Sequence, residues 1–199
     1  MSYGYVRPPQ VRAVGLVSAA AAPVLLVGGW TLAASLRSDG YSAVRDTISA
    51  LAQRGAPDRW VMTAAFGGLG VCHVVTAAAL RGASGAGRLV LAAGGVATVL
   101  VAAFPLHADG GSSEHGIVAT IAFVALAAWP ALAWRRRARA WALRRGPALT
   151  ATALLAAGTV WFAVELDGPR VGLAERVAAG TQAVWPLVAV LSARAPARR

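Results

Sequence analysis

Six long apolar runs, joined by short polar connections, constrain this 199-residue chain more than any other feature. They cover Ala13–Leu36, Trp60–Leu80, Leu89–Phe104, Gly116–Trp134, Pro147–Val164 and Val177–Ala193. Each holds roughly 16–24 residues, near what an α-helix needs to cross a hydrocarbon core of about 30 Å. In lipid every backbone N–H and C=O must be bonded within its own segment or within a closed barrel. Runs of Ala, Leu and Val without two-residue alternation point to helices. The expected fold is therefore all-α: a polytopic membrane protein, a six-transmembrane-helix bundle forming one domain over residues 1–199. A chain that is 57% hydrophobic and 14% charged lies outside the range of a soluble domain. Two arginines precede the first run, which is longer than a secretory h-region and reads as an uncleaved first helix.

Charge sets the expected orientation. All eight acidic residues (Asp39, Asp46, Asp58, Asp109, Glu114, Glu165, Asp167 and Glu175) fall in or beside the first, third and fifth connections. Thirteen of the 19 arginines fall on the opposite side: Arg7 and Arg12 before the first run, Arg81 and Arg88, six between Arg135 and Arg145, and Arg194, Arg198 and Arg199. The positive-inside bias then places both termini in the cytoplasm and the acidic connections outside. The formal charge of +11 sits in short connections that meet anionic headgroups, so nucleic-acid binding is not expected.

The acidic connections carry most of the chemistry. In the first, Val44, Ile48 and Leu51 recur at helical spacing behind Ser42, predicting a short amphipathic helix that acts as a brace or a lid. Asp58 is the expected cap of the second long helix. The third connection holds His107, Asp109, Glu114 and His115 within nine residues. Two imidazoles and two carboxylates suit acid–base work or, alternatively, a divalent metal at His107, Asp109 and His115. The spacing matches no strong metal motif, so no cofactor is predicted. Ser112 or Ser113 is expected to cap the next helix. In the fifth connection, Glu165 lies one turn after Trp161, where an indole would hold a carboxyl partly out of water. Glu175 begins the last helix, with Gln182 two turns along the same face; alternatively Glu175 and Arg176 pair with neighbouring surface charges.

Within the hydrocarbon, His73 and Gln182 stand out as polar groups. His73 lies in the half remote from the acidic connections and is expected to stand apart from any site there. Cys72 is the sole cysteine, which excludes an intramolecular disulfide. Gly67, Gly68, Gly70, Gly94 and Gly95 would let backbones approach closely. Pro23, Pro130 and Pro186 fall inside runs, where neighbouring helices can satisfy the freed carbonyls.

Three stretches resemble one family. These are Asp46 to Ala52 leading on to Pro57 and Trp60, Phe104-Pro105 followed by an acid and by His115, and Gly172-Leu173-Ala174-Glu175-Arg176. Together they resemble the bacterial six-helix integral membrane proteins catalogued as domain of unknown function 998. The resemblance covers nearly the whole chain. It implies a six-helix bundle with recurring polar residues at the outer ends of helices, and no established activity.

Two classes of function are compatible with these residues. The first is an intramembrane enzyme acting on a lipid or isoprenoid, by hydrolysis or transfer or by protonation-initiated prenyl cyclisation of the terpene cyclase kind. Glu165, Asp109 and His115 would then transfer protons, and Asp46 and Arg176 would position a polar head. Trp161, Trp30 and Trp185 would offer indole faces to a hydrophobic substrate or cation. The second class is a non-catalytic scaffold, sensor or chaperone subunit, whose partners are membrane lipids and whose helix faces permit oligomers. A small transporter is the third reading, though the chain shows no clear internal repeat.

Overall fold

In the computed structural model, residues 11 and 13–195 are described. Arg7, Arg12, Arg198 and Arg199, which count toward the basic side, lie outside the described residues. The long helices are α1 (Ala13–Ser35), α3 (Trp60–Ala79), α4 (Gly85–Ala103), α5 (Ser113–Ala133), α6 (Arg145–Val164) and α7 (Val171–Arg194). A four-residue helix, α2 (Ile48–Leu51), interrupts the first connection, and a 3₁₀ turn (Trp141–Leu143) precedes α6. Each long helix packs against its neighbour in the chain, and α7 returns to α1, which closes the bundle into a ring.

The outward faces of these helices are apolar. Val24 is 69% exposed, Leu89 71% and Leu154 68%. A soluble protein would hide such a belt, and a lipid-facing surface requires it. Five helices (α1, α3, α4, α5 and α6) are long and apolar enough to cross a membrane. The chain is thus an all-α polytopic membrane bundle. The remaining long helix, α7, carries Glu175, Arg176, Gln182 and Pro186 within its 24 residues.

The interior falls into two apolar clusters. One, around Leu26, Ile48, Leu51, Met62 and Phe66, lies at the acidic end. The other, around Leu80, Leu91, Trp129, Leu143 and Val190, lies at the arginine-rich end. Small residues set the helix spacing where α3 meets α4: a Cβ on Gly95 would lie 2.7 Å from the Gly70 carbonyl oxygen. Pro130 lies inside α5, and the next amide, Ala131, donates to Thr152 Oγ1 on α6 at 2.9 Å. Pro130 itself has no N–H to donate, and the bond from the next residue ties this stretch of α5 to α6.

Connections at each end bond to one another. At the acidic end, the Leu173 amide donates to the Val44 carbonyl at 3.1 Å and the Arg54 amide to the Leu106 carbonyl at 2.9 Å. At the other end, the Ser84 amide donates to the Ala133 carbonyl at 3.0 Å and the Arg135 amide to the Leu143 carbonyl at 2.9 Å. The charge segregation read from the sequence is therefore a segregation in space.

Several boundaries differ from the apolar runs. Helix α4 begins at Gly85, not Leu89, because Ser84 accepts the Gly87 amide as its cap. Helix α7 begins at Val171, six residues before the expected span, since its first turns pack on the first connection rather than on lipid. The amphipathic helix expected from Ser42 shortens to Ile48–Leu51, capped by Thr47, because residues 43–46 turn instead. Asp58 does not cap α3. It adopts a positive φ of 47°, and Arg59 takes the cap position without a side-chain bond.

Candidate functional site at the acidic end

The first connection is strapped down by two adjacent residues of α7. Glu175, 3% exposed, accepts hydrogen bonds from the Ile48 amide and, at 3.0 Å, from the Ser49 hydroxyl. Arg176 donates to the carbonyls of Ala43 (2.8 Å), Asp46 (2.9 Å) and Gly172 (2.9 Å), and to the Tyr41 hydroxyl. The Tyr41 hydroxyl in turn donates toward the Thr47 carbonyl at 3.0 Å. Burial pushes the Tyr41 phenol above its ordinary pKa, which keeps that proton in place at neutral pH. Gly172 is required here, since a Cβ would collide with the Asp46 carbonyl.

Beneath this strap a groove of about 420 Å³ runs between α5 and α6. Leu106, Phe123, Val124, Phe162 and Leu166 make it apolar, and the Phe123 and Phe162 rings lie 5.1 Å apart. Thr47, Ser49, His115, Thr159 and Glu175 supply its polar points. A mostly apolar groove with a few converging polar groups is the ordinary form of an amphiphile or small-molecule site.

His115 lies on that wall. Its backbone is set by Ser112, whose hydroxyl accepts the His115 amide at 3.2 Å, as a helix cap does. Its Nδ1 lies 2.9 Å from the Phe104 carbonyl oxygen. A carbonyl only accepts, so Nδ1 carries the proton and Nε2 keeps its lone pair. Nε2 makes no hydrogen bond among the described residues.

The other proposed proton-transfer residues sit at the rim. Glu165 pairs with Arg170 at 3.1 Å and also accepts the Arg170 amide at 3.1 Å. Asp109 closes a tight turn by accepting the Gly111 amide at 3.1 Å. Each stands next to a residue that lines the groove, Leu166 and Gly110 respectively. The Asp46 carboxylate accepts the Ser42 amide at 2.6 Å, and its carbonyl receives Arg176. His107 belongs to the same turn as Asp109, its amide donating to the Gly111 carbonyl at 3.1 Å. No group of three or more His, Cys, Asp and Glu side chains able to hold a metal occurs among the described residues.

The three tryptophans do not converge. Trp30 lies under the Arg176 guanidinium, 5.8 Å from its ring centroid. Trp185 stacks edge-on against Trp141 at 6.3 Å, beside the arginine-rich connection. Trp161 does not line the groove, and its neighbour Phe162 does.

Residues 19–192, which include every residue of this site, match a family described as a protein of unknown function, DUF998. The chain belongs to that family. No curated protein and no solved structure matches it.

Sequence reasoning singled out His115 and Arg176 but did not place Glu175 and Ser49 in one site. The signal was present, since both lie in stretches that resemble the DUF998 family: Ser49 in the segment from Asp46, Glu175 in the segment from Gly172. Their meeting depends on the first connection folding over α7.

Proposed function

We propose that this DUF998 protein binds an amphiphile, a lipid or an isoprenoid, in the groove between α5 and α6, and acts on its polar end by acid–base chemistry. The observation that carries the reading is that His115 and Glu175, the two titratable side chains of the groove, line one mostly apolar wall. In this reading His115 Nε2 takes the proton of the attacking group, and the rim carboxylates Glu165 and Asp109 attract or orient the head. Asp46 and Arg176 position the strap that covers it. Hydrolysis or transfer at a headgroup fits the groove better than prenyl cyclisation, because Trp30, Trp161 and Trp185 do not share it. We also infer that α7 is a sixth span, that the chain forms one membrane domain, and that both termini face the cytoplasm of a bacterial inner membrane. The excess of arginine at that end supports this orientation.

Mass spectrometry of lipid extracts tests the reading, using cells that express wild type, His115→Ala or Glu175→Gln at matched membrane levels. A lipid or prenyl species that depends on wild-type protein and is lost in both variants is the expected result. Identical profiles would favour a non-catalytic scaffold or sensor. That second reading has its own support: Glu175 and Arg176 spend their hydrogen bonds on the strap.

A further inference from the structure

His73 is the least accounted-for polar group in the bundle. It is 1% exposed, and neither Nδ1 nor Nε2 has a hydrogen-bond partner among the described residues. A neutral imidazole offers one N–H and one lone pair, and burying either unmet costs about 1–3 kcal/mol. The ring is not enclosed by apolar atoms alone. It lines an interior cavity of about 50 Å³ together with Thr98, Gln182, Ser49 and Glu175. Leu26, Phe66 and Leu126 form much of the remaining wall. Glu175 borders this cavity on one side and the α5–α6 groove on the other. The expectation that His73 stands apart from the acidic end is thereby corrected, since helical depth ignores a cavity that runs along the bundle.

A buried water needs roughly 10–15 Å³ and two to four polar partners, so the cavity holds more than one. From Glu175 to Gln182 the rise along α7 is about 10 Å, at 1.5 Å per residue. Three or four waters at hydrogen-bond spacing of about 2.8 Å span that distance.

We propose that this cavity is a hydrated site in which a short file of water joins the His73 imidazole to the Glu175 carboxyl, with Gln182 and Thr98 as partners along it. The file carries a proton in either direction. The Glu175 O–H bond breaks as the first water gains a proton, each water passes one on, and the last forms an N–H bond at the lone-pair nitrogen of His73. The products are a carboxylate and an imidazolium, and the reverse transfer restores both groups. His73 from α3 and Glu175 from α7 are the titratable groups lining the cavity. The other lining elements, α1, α2, α4 and α5, contribute Leu26, Ile48, Ser49, Thr98 and Ala122, none of which titrates. His115 lines the groove that Glu175 also borders, and Arg176 is engaged with loop carbonyls. The site holds whether or not the groove turns over a substrate.

The test is nitrogen NMR of the full chain in lipid nanodiscs, with ¹⁵N-labelled histidine. The chain has three histidines, so single substitutions assign every ring. Magnetisation transfer from water to the His73 ring is expected in wild type. It should be lost in Ala122→Leu, which fills the cavity, while the His115 signals persist. Glu175→Gln, at unchanged pH, should shift the His73 nitrogens. If Ala122→Leu does not fold, the near-isosteric Thr98→Val should weaken the transfer instead. A His73 ring that receives no magnetisation from water in folded wild type overturns the proposal. So does a His73 spectrum that Glu175→Gln leaves unchanged.

Discussion

Glu175 on α7 accepts the hydroxyl proton of Ser49 on α2 at 3.0 Å, joining residues 126 positions apart. The same carboxylate takes the Ile48 amide, so one buried side chain satisfies two donors at the start of a four-residue helix too short to stand alone. Arg176, the next residue, closes on the carbonyls that precede that helix. The two side chains therefore act on the backbone and hydroxyls of the connection and not on opposite charges within it. The result is a cover fixed at both its donors and its acceptors, with the groove beneath it.

Removing the carboxylate should loosen the cover without unfolding the bundle. Glu175→Ala strands the Ile48 amide and the Ser49 hydroxyl in a buried place, at about 1–3 kcal/mol each. Glu175→Gln keeps an acceptor for the amide and gives Ser49 Oγ a donor. Arg45 and Arg54 are exposed within the connection, and trypsin cleaves after both. Cleavage of the Ala variant should run roughly tenfold or more faster, since about 1.4 kcal/mol is a factor of ten in the open population. The Gln variant should stay near wild type. A wild-type rate for Glu175→Ala would mean that the cover is held without this residue.

Arg176 should resist conservative replacement. Its planar fork reaches three carbonyls and the Tyr41 hydroxyl while stacking 5.7 Å from the Tyr41 ring centroid. A lysine ammonium is a point donor and cannot reproduce that spread. Thermal unfolding in detergent should rank wild type above Arg176→Lys and Arg176→Lys above Arg176→Ala. The full loss should be about 2–3 kcal/mol, on the scale of hydrogen bonds to charged groups. Equal stability of the lysine variant would show that charge alone suffices.

The helices were legible because lipid leaves an apolar run almost no alternative to a helix, and the two ends were legible because charge cannot hide between them. The first turns of α4 and α7 were not. Gly85 to Arg88 and Val171 to Arg176 are too polar for a span, and their helicity follows from the Ser84 cap and from packing on the first connection. At the site, His115 could be picked out because an imidazole beside acids is unusual in so apolar a chain. The burial of Glu175 could not, because it arises from a contact across most of the chain that no local periodicity reports. His73 was recognised as polar, but its cavity is a product of packing between helices.

Orientation and the sixth crossing are open to one labelling experiment. In a Cys72→Ser background, single cysteines replace the exposed Ser38, Gly146, Asp167 and Ala195. A membrane-impermeant maleimide applied to intact cells should label the cysteines at 38 and 167. Those at 146 and 195 should react only after permeabilisation. The inverse pattern would reverse the orientation. Labelling of 167 and 195 from the same side would remove α7 from the set of spans.

The contact between α3 and α4 tests whether glycine spacing sets the bundle's width. A Cβ on Gly95 would lie 2.7 Å from the Gly70 carbonyl oxygen and 2.9 Å from His73 Cβ, closer than such atoms tolerate. The backbone carbonyl cannot rotate away as a side chain would, so α3 and α4 must separate. Gly95→Ala should therefore cost about 1–3 kcal/mol, the usual range for overpacking. On the same α3, a Cβ on Gly67 meets nothing within 4 Å. Gly67→Ala should be neutral or stabilising by up to about 1 kcal/mol, from helix propensity alone. Unfolding of the two variants in mixed micelles separates the cases. Equal stability would mean that α3 and α4 part freely. A selective loss at Gly95 would show that the backbone contact between α3 and α4 sets their spacing.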